Sequence, residues 1–201
     1  MIKRISKYLS LVKFSHTIFA MPFAIIGFFL AFKKYQPEWW IFFTIVLCMI
    51  FARNSAMGFN RYLDRSIDKK NPRTSKREIP VGDINPKSAL IFVVVNTCLF
   101  IITTFFINRL VFFLSPIALF VILFYSYTKR FTYLSHFVLG LGLALAPIGA
   151  YLSVSEKFDL LPVLFSIIVL FWVSGFDIVY ALQDYEFDKK EKLKSVPVYL
   201  G

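Results

Sequence analysis

Six apolar stretches constrain this chain more than anything else in it. They run over about 17–33, 39–60, 88–107, 111–128, 134–154 and 160–182, each close to the length a helix needs to cross a bilayer. With 58% hydrophobic residues and 25 Phe in 201 positions, a soluble domain would lack the interior to hide them. The expected fold is all-α, a polytopic transmembrane helical bundle, read as a single domain over 1–201. No linker, low-complexity tract or second folded unit interrupts it.

The formal net charge of +11 does not point to nucleic acid, because no basic folding module or zinc spacing accompanies it. The charge follows loop position instead. With the N-terminus in the cytoplasm, 18 of the 23 Lys and Arg fall in cytoplasmic segments and four on the opposite side, with Arg53 inside a span. By the positive-inside rule this fixes an expected orientation, in the bacterial inner membrane, with the N-terminus and the loops that carry acids cytoplasmic. Lys3, Arg4 and Lys7 precede an apolar run as in a signal peptide, but no small-residue cleavage site follows Leu30, so the first helix reads as retained. Residues 1–16, with Ile5, Tyr8, Leu9 and Val12 at helical spacing, read as a short interfacial helix. Cys48 and Cys98 lie within apolar runs and read as buried thiols. The longest polar segment, 61–87, carries the turn signals Asn71-Pro72-Arg73-Thr74 and Ile79-Pro80-Val81-Gly82.

Chemistry concentrates at two span ends. Asn60, Asp64 and Asp68 recur every four residues, which places three oxygen-bearing side chains on one helical face. Asp177, Tyr180, Asp184 and Asp188 repeat the arrangement after the last span. Mg²⁺ is typically held by one or two carboxylates together with substrate phosphate, so two such pairs on one side of a membrane predict a divalent-cation site for a polyphosphorylated ligand. The alternative is a solvated helix end whose acids pair with Arg65, Lys69, Lys189 and Lys190.

Arg53 stands seven residues before Asn60, on the same face and inside a span, where a charge is expensive. It is a candidate for holding an anionic acceptor. Tyr125 and Lys129 share a face at the end of the fourth span and could meet phosphate oxygens, or serve as an interfacial anchor. Arg73 and Arg77 could complete a cationic clamp on a diphosphate, or attract lipid head groups. His16 reads as a hydrogen-bonded interfacial residue. The Phe residues face lipid or pack between helices, with a subset able to line a tunnel for an isoprenoid tail.

These motifs, in this order, resemble the UbiA-type intramembrane aromatic prenyltransferases. The matching stretches are Lys13-Phe14-Ser15-His16-Thr17, Asn60-x-x-x-Asp64-x-x-x-Asp68, Asn71-Pro72-Arg73-Thr74 with Arg77, Tyr125-x-x-x-Lys129 and Asp177-x-x-Tyr180-x-x-x-Asp184-x-x-x-Asp188. Tyr180-Ala-Leu-Gln-Asp184 looks most like the 4-hydroxybenzoate branch and its menaquinone-pathway relatives. The resemblance implies a membrane enzyme that transfers a polyprenyl group from polyprenyl diphosphate to a small aromatic acid in quinone biosynthesis. In it Asp64, Asp68, Asp184 and Asp188 would hold Mg²⁺, with Asn60 assisting. Lys129, Arg73 and Arg77 would stabilise the leaving diphosphate, Arg53 would bind the acceptor carboxylate, and Tyr125, Asp177 and Tyr180 would contact substrate. Family members have roughly nine membrane helices against about six here, so the domain is expected to be incomplete at its C-terminus. Two other readings compete. CDP-alcohol phosphotransferases also place Asp clusters at membrane helix ends, but with glycines and an Ala-Arg between the acids, which residues 60–68 lack. An inactive lipid-binding membrane protein would bind prenyl diphosphate without Mg²⁺.

Overall fold

The computed structural model describes the backbone of residues 2–201 and the side chains of 6–13 and 20–201. Ile5 and His16, named above, lie outside the described side chains. In chain order the helices are α1 (Ile2–Leu11), α2 (Phe14–Tyr35), α3 (Trp39–Lys70), α4 (Pro86–Phe105), α5 (Arg109–Thr128), α6 (Ser135–Ser155) and α7 (Leu160–Ala181). A 3-10 turn (Leu182–Asp184), α8 (Tyr185–Lys190) and α9 (Val196–Leu200) follow. Among the described residues, five helices are long and apolar enough to cross a membrane: α3, α4, α5, α6 and the stretch opened by α7. The backbone of α2 covers the expected first span over 22 residues.

Helix boundaries follow local chemistry. Asn85 and Asn108 cap α4 and α5, accepting from the backbone N–H of Lys87 and Val111 at 2.8 Å each. Pro86 occupies the first turn of α4, where no N–H is needed. Lys13 breaks the chain between α1 and α2 with a left-handed φ of 49°, and Gln36 does the same after α2 at 45°.

Small residues let the long helices approach. A Cβ on Gly27 would stand 2.2 Å from the Pro147 carbonyl oxygen, so α2 and α6 cross backbone to backbone. At Gly140 the obstacles are Ser174 Oγ at 2.3 Å and the Leu170 carbonyl at 2.5 Å, which seats α6 against α7. Between α3 and α4, Asn54 donates to Asn96 at 3.0 Å and Thr97 to Ser55 at 3.2 Å, polar ties within the apolar layer. Phe28, Ala24, Ile45 and Ala150 form a buried cluster joining α2, α3 and α6.

Several expectations need correction. The polar segment is not a loop from 61, because α3 runs on to Lys70 and leaves only 71–85 outside helices. The extension holds because Arg61, Asp64 and Asp68 are buried on its inner side, so packing rather than propensity keeps the helix wound. The inward residues are Leu11, which ends α1, and Val12 just past it, while Leu9 is exposed. Leu11 packs with Ile79, Ile84 and Ala89, and Tyr8 lies 5.0 Å from the Phe92 ring, so α1 braces the 71–85 loop. Lys7 pairs with Asp83 at 2.5 Å and Ser10 donates to Glu78. Cys48 is buried as expected, but Cys98 is exposed on the outer face of α4. The second acidic motif does not lie on one continuous helix, since the 3-10 turn separates α7 from α8.

Candidate functional site

The extended α3 carries the first three oxygen ligands inward. Asp64 is only 2% exposed and is met from two elements: Lys129 Nζ at 2.5 Å and Arg130 Nη2 at 2.8 Å, with Asn60 Nδ2 donating at 3.2 Å. Burying a carboxylate costs several kcal/mol, which two cations and an amide offset here. One turn on, Asp68 Oδ1 accepts from Arg77 Nη1 at 2.6 Å, while its Oδ2 is buried without a partner among the described residues. The neighbours that a solvated helix end would use do not take these roles. Arg65 turns back to the Tyr62 carbonyl at 2.7 Å, and its guanidinium covers the Tyr62 ring.

The second motif is drawn to the same place by the 71–85 loop. Asn71, the C-cap of α3, donates to Asp184 Oδ1 at 2.9 Å and accepts from the Arg73 backbone N–H at 2.9 Å. Arg73 grips Asp184 with two nitrogens, Nε at 2.9 Å and Nη2, and donates to the Tyr180 hydroxyl at 3.1 Å. Hydrogen bonding to the Asp184 carboxylate holds the Arg73 guanidinium above its ordinary range. Asp188 has no hydrogen-bond or ion-pair partner among the described residues. Lys129, already on Asp64, also acts electrostatically on Asp188 and so joins the two motifs. The backbone repeats that link, with Lys194 N–H donating to the Lys129 carbonyl at 2.8 Å.

Three other expected site residues, Asp177, Arg53 and Tyr125, form no hydrogen bond or ion pair with the four carboxylates among the described residues. Asp177 binds His136 Nδ1 on α6 at 2.6 Å, and His136 also acts electrostatically on Asp188. Arg53 and Tyr125 sit deeper in the bundle, on the wall of a cavity of about 310 Å³. Its other walls are apolar, among them Ile45, Phe100, Leu143 and Phe158. Asn60 and Lys129 are one to two turns further along the same helices, so the charged end of the cavity points toward the carboxylates. Sequence reasoning gave no role to Arg130, Asn71, His136 or Arg61. The partners of Arg130, Asn71 and His136 come from other elements, Arg61 has none among the described residues, and the local hints were the turn signal at Asn71 and the place of Arg130 beside Lys129.

The donor set suits a hard cation. Four carboxylates and an amide supply only oxygen, Asp68 Oδ2 is buried and unpartnered, and Asp188 is unpaired. Among the described residues no three acids, histidines or cysteines gather around one point, and the geometry is that of two pairs. Pairs are enough for Mg²⁺, which is held by one or two carboxylates and completes its shell with water and substrate oxygens.

Residues 20–201 match the UbiA prenyltransferase family. The chain belongs to it. Together with its apolar helices, membership makes this UbiA-family chain an integral membrane protein. It is 33% identical over 166 residues to a 4-hydroxybenzoate octaprenyltransferase from Aliivibrio salmonicida, covering 82% of this chain and 58% of that protein. A second 4-hydroxybenzoate octaprenyltransferase, from Vesicomyosocius okutanii, is 32% identical over 159 residues, 79% of this chain and again 58% of its own length. The chain thus spans a little over half the length of these curated relatives. Among solved structures, a UbiA homologue from Aeropyrum pernix superposes with a TM-score of 0.85 at 31% identity, over 93% of this chain and 70% of that one. A homologue from Archaeoglobus fulgidus bound to GPP and Mg²⁺ shares the fold, with a TM-score of 0.80 at 24% identity, over 97% of this chain and 69% of that one.

Proposed function

We propose that this chain transfers a polyprenyl group from polyprenyl diphosphate to an aromatic acceptor, 4-hydroxybenzoate, in quinone biosynthesis. One observation carries the reading: two carboxylate pairs hemmed by Lys129, Arg130, Arg73 and Arg77, with an apolar cavity headed by Arg53 beyond them. The names of the curated relatives support the acceptor.

In this reading Asp64 and Asp68 hold one Mg²⁺ and Asp184 and Asp188 a second, with Asn60 assisting. When bound, the ions supply Lewis-acid stabilisation of diphosphate oxygens. Lys129, Arg73 and Arg77 neutralise the charge that grows on the diphosphate as the allylic C–O bond breaks and the leaving group takes the electron pair. Tyr180, already hydrogen-bonded to Arg73, orients that arm of the clamp. The apolar cavity receives the prenyl chain and keeps water from the allylic cation. Arg53 binds the acceptor carboxylate, beside Tyr125, and presents the ring carbon ortho to the hydroxyl. A C–C bond forms there and the ring proton is lost. Asp177, bound to His136, contributes by holding α7 against α6 rather than by touching substrate. The site faces the cytoplasm, in keeping with the 18-to-4 bias of Lys and Arg.

The test uses membranes that carry the chain, supplied with 4-hydroxybenzoate, a polyprenyl diphosphate and Mg²⁺. The prenylated acid is expected by mass spectrometry, and chelation should abolish it. Prenylation of a naphthoate in place of 4-hydroxybenzoate would move the acceptor and keep the reaction. Failure with every acceptor would end the enzymatic reading.

A further inference from the structure

Four cations between the two acidic motifs are matched to their carboxylates, Lys129 and Arg130 to Asp64, Arg77 to Asp68 and Arg73 to Asp184. Arg61, next to Asn60 on α3, is not. It is 5% exposed, has no hydrogen-bond or ion-pair partner among the described residues, and its Nε is sealed from solvent. The groups that act on it electrostatically are Arg77, Asp68, Tyr125 and Glu78, which sets it behind the Arg77–Asp68 pair. A guanidinium withdrawn from water without a counter-charge is strongly destabilising, and Arg does not shed its proton to escape the cost. Asp68 does not relieve it. That residue follows seven positions later on nearly the same helix face, roughly 20° round. Even so, its Oδ1 is taken by Arg77 and its Oδ2 is buried without a partner.

The orphaned guanidinium marks a place for an anionic group, while the orphaned Asp68 oxygen on the same face, itself an acceptor, is left for a cation. The anionic group must be rich in negative charge, because Arg61 and Arg77 repel each other and the carboxylates that act on Arg61, Asp68 and Glu78, already accept from Arg77 and Ser10. An aromatic monocarboxylate fits less well. Arg61 is absent from the cavity wall where Arg53 stands, and the charged groups that act on it are Asp68 together with Arg77 and Glu78 of the 71–85 loop.

We infer that Arg61 is a further diphosphate-binding residue, set beneath Arg77 and left unpaired until the donor arrives. The inference rests on the donor assignment under Proposed function.

The 201-residue chain in detergent, titrated calorimetrically with inorganic diphosphate in the presence of Mg²⁺, tests both. The parent chain should bind, Arg61→Leu should weaken binding at least tenfold, and Arg61→Lys, which keeps the charge without the planar fork, should fall between. Without ligand, Arg61→Leu should unfold at the same temperature as the parent or higher, since it removes a buried, unmatched charge. An Arg with a purely structural role would give a lower unfolding temperature. Undiminished binding by Arg61→Leu would overturn the inference, as would a marked loss of ligand-free stability or failure of that variant to fold. Failure of the parent itself to bind diphosphate would overturn the donor assignment and this inference with it.

Discussion

Asp64 and Asp188 show how differently two carboxylates of one site are held. Asp64 anchors three side chains, and Asn at this position would leave Lys129 and Arg130 facing a neutral amide. Asp64→Asn is expected to cost up to about 3 kcal/mol, the low end for a broken buried pair, because those two cations are each 31% exposed. Asp188 has no partner to lose, so Asp188→Asn should leave stability within about 0.5 kcal/mol of the parent. Both substitutions should abolish prenyl transfer. Thermal unfolding in detergent beside a product assay separates the two cases, and a large stability loss in Asp188→Asn would mean that its carboxylate is engaged after all.

At the scale of elements, helix proximity sets the architecture. Gly140 gives the sharpest test, because a Cβ there runs into Ser174 and the Leu170 backbone. Gly140→Val should cost about 1–3 kcal/mol by overpacking and pull His136 from Asp177. Gly175→Ala on the neighbouring helix is the control: nothing lies within 4 Å of its added methyl, and removing chain entropy should stabilise by about 0.4–1 kcal/mol. Equal effects in the two variants would show that the α6–α7 crossing is looser than described.

Helix periodicity explains what could be read beforehand. The spacing of Asn60, Asp64 and Asp68 is a local property, and it placed three oxygen-bearing side chains on one side of a helix. The end of α3 was not legible, since it depends on Lys129, Arg130 and Arg77, which are remote in sequence from the acids they meet. His136 escaped notice, and Asn71 was read only as part of a turn and a matching stretch, for the same reason, because a polar residue acquires a role only when a distant segment brings its partner. Cys98 was misjudged because an apolar run identifies the membrane without saying which side of a helix faces its neighbours.

Taken whole, the molecule ties its N-terminal helix to the loop that carries the cationic clamp. The tie has two parts of unequal weight. The Lys7–Asp83 pair is 42% and 49% exposed, so Lys7→Ala should change stability by less than about 1 kcal/mol. Leu11 is fully buried against Ile79 and Ile84, and Leu11→Ala should cost about 2–5 kcal/mol locally. Released from α1, residues 71–85 should be cut faster by trypsin at Lys76 and Arg77, and diphosphate affinity should fall as Arg73 and Arg77 lose their footing. Unchanged proteolysis in Leu11→Ala would mean that the loop stands without the brace.

The 3-10 turn at Leu182–Asp184 gives the two acidic arms unequal mechanics. On α3 all three ligands share an unbroken ladder of hydrogen bonds and keep a fixed separation, like the stationary jaw of a vice. Asp184 ends the 3-10 turn and Asp188 follows it on the short α8, and the turn's tighter winding makes poorer hydrogen bonds and yields more readily. The α8 side is therefore expected to adjust when a ligand binds, with α3 as the fixed edge.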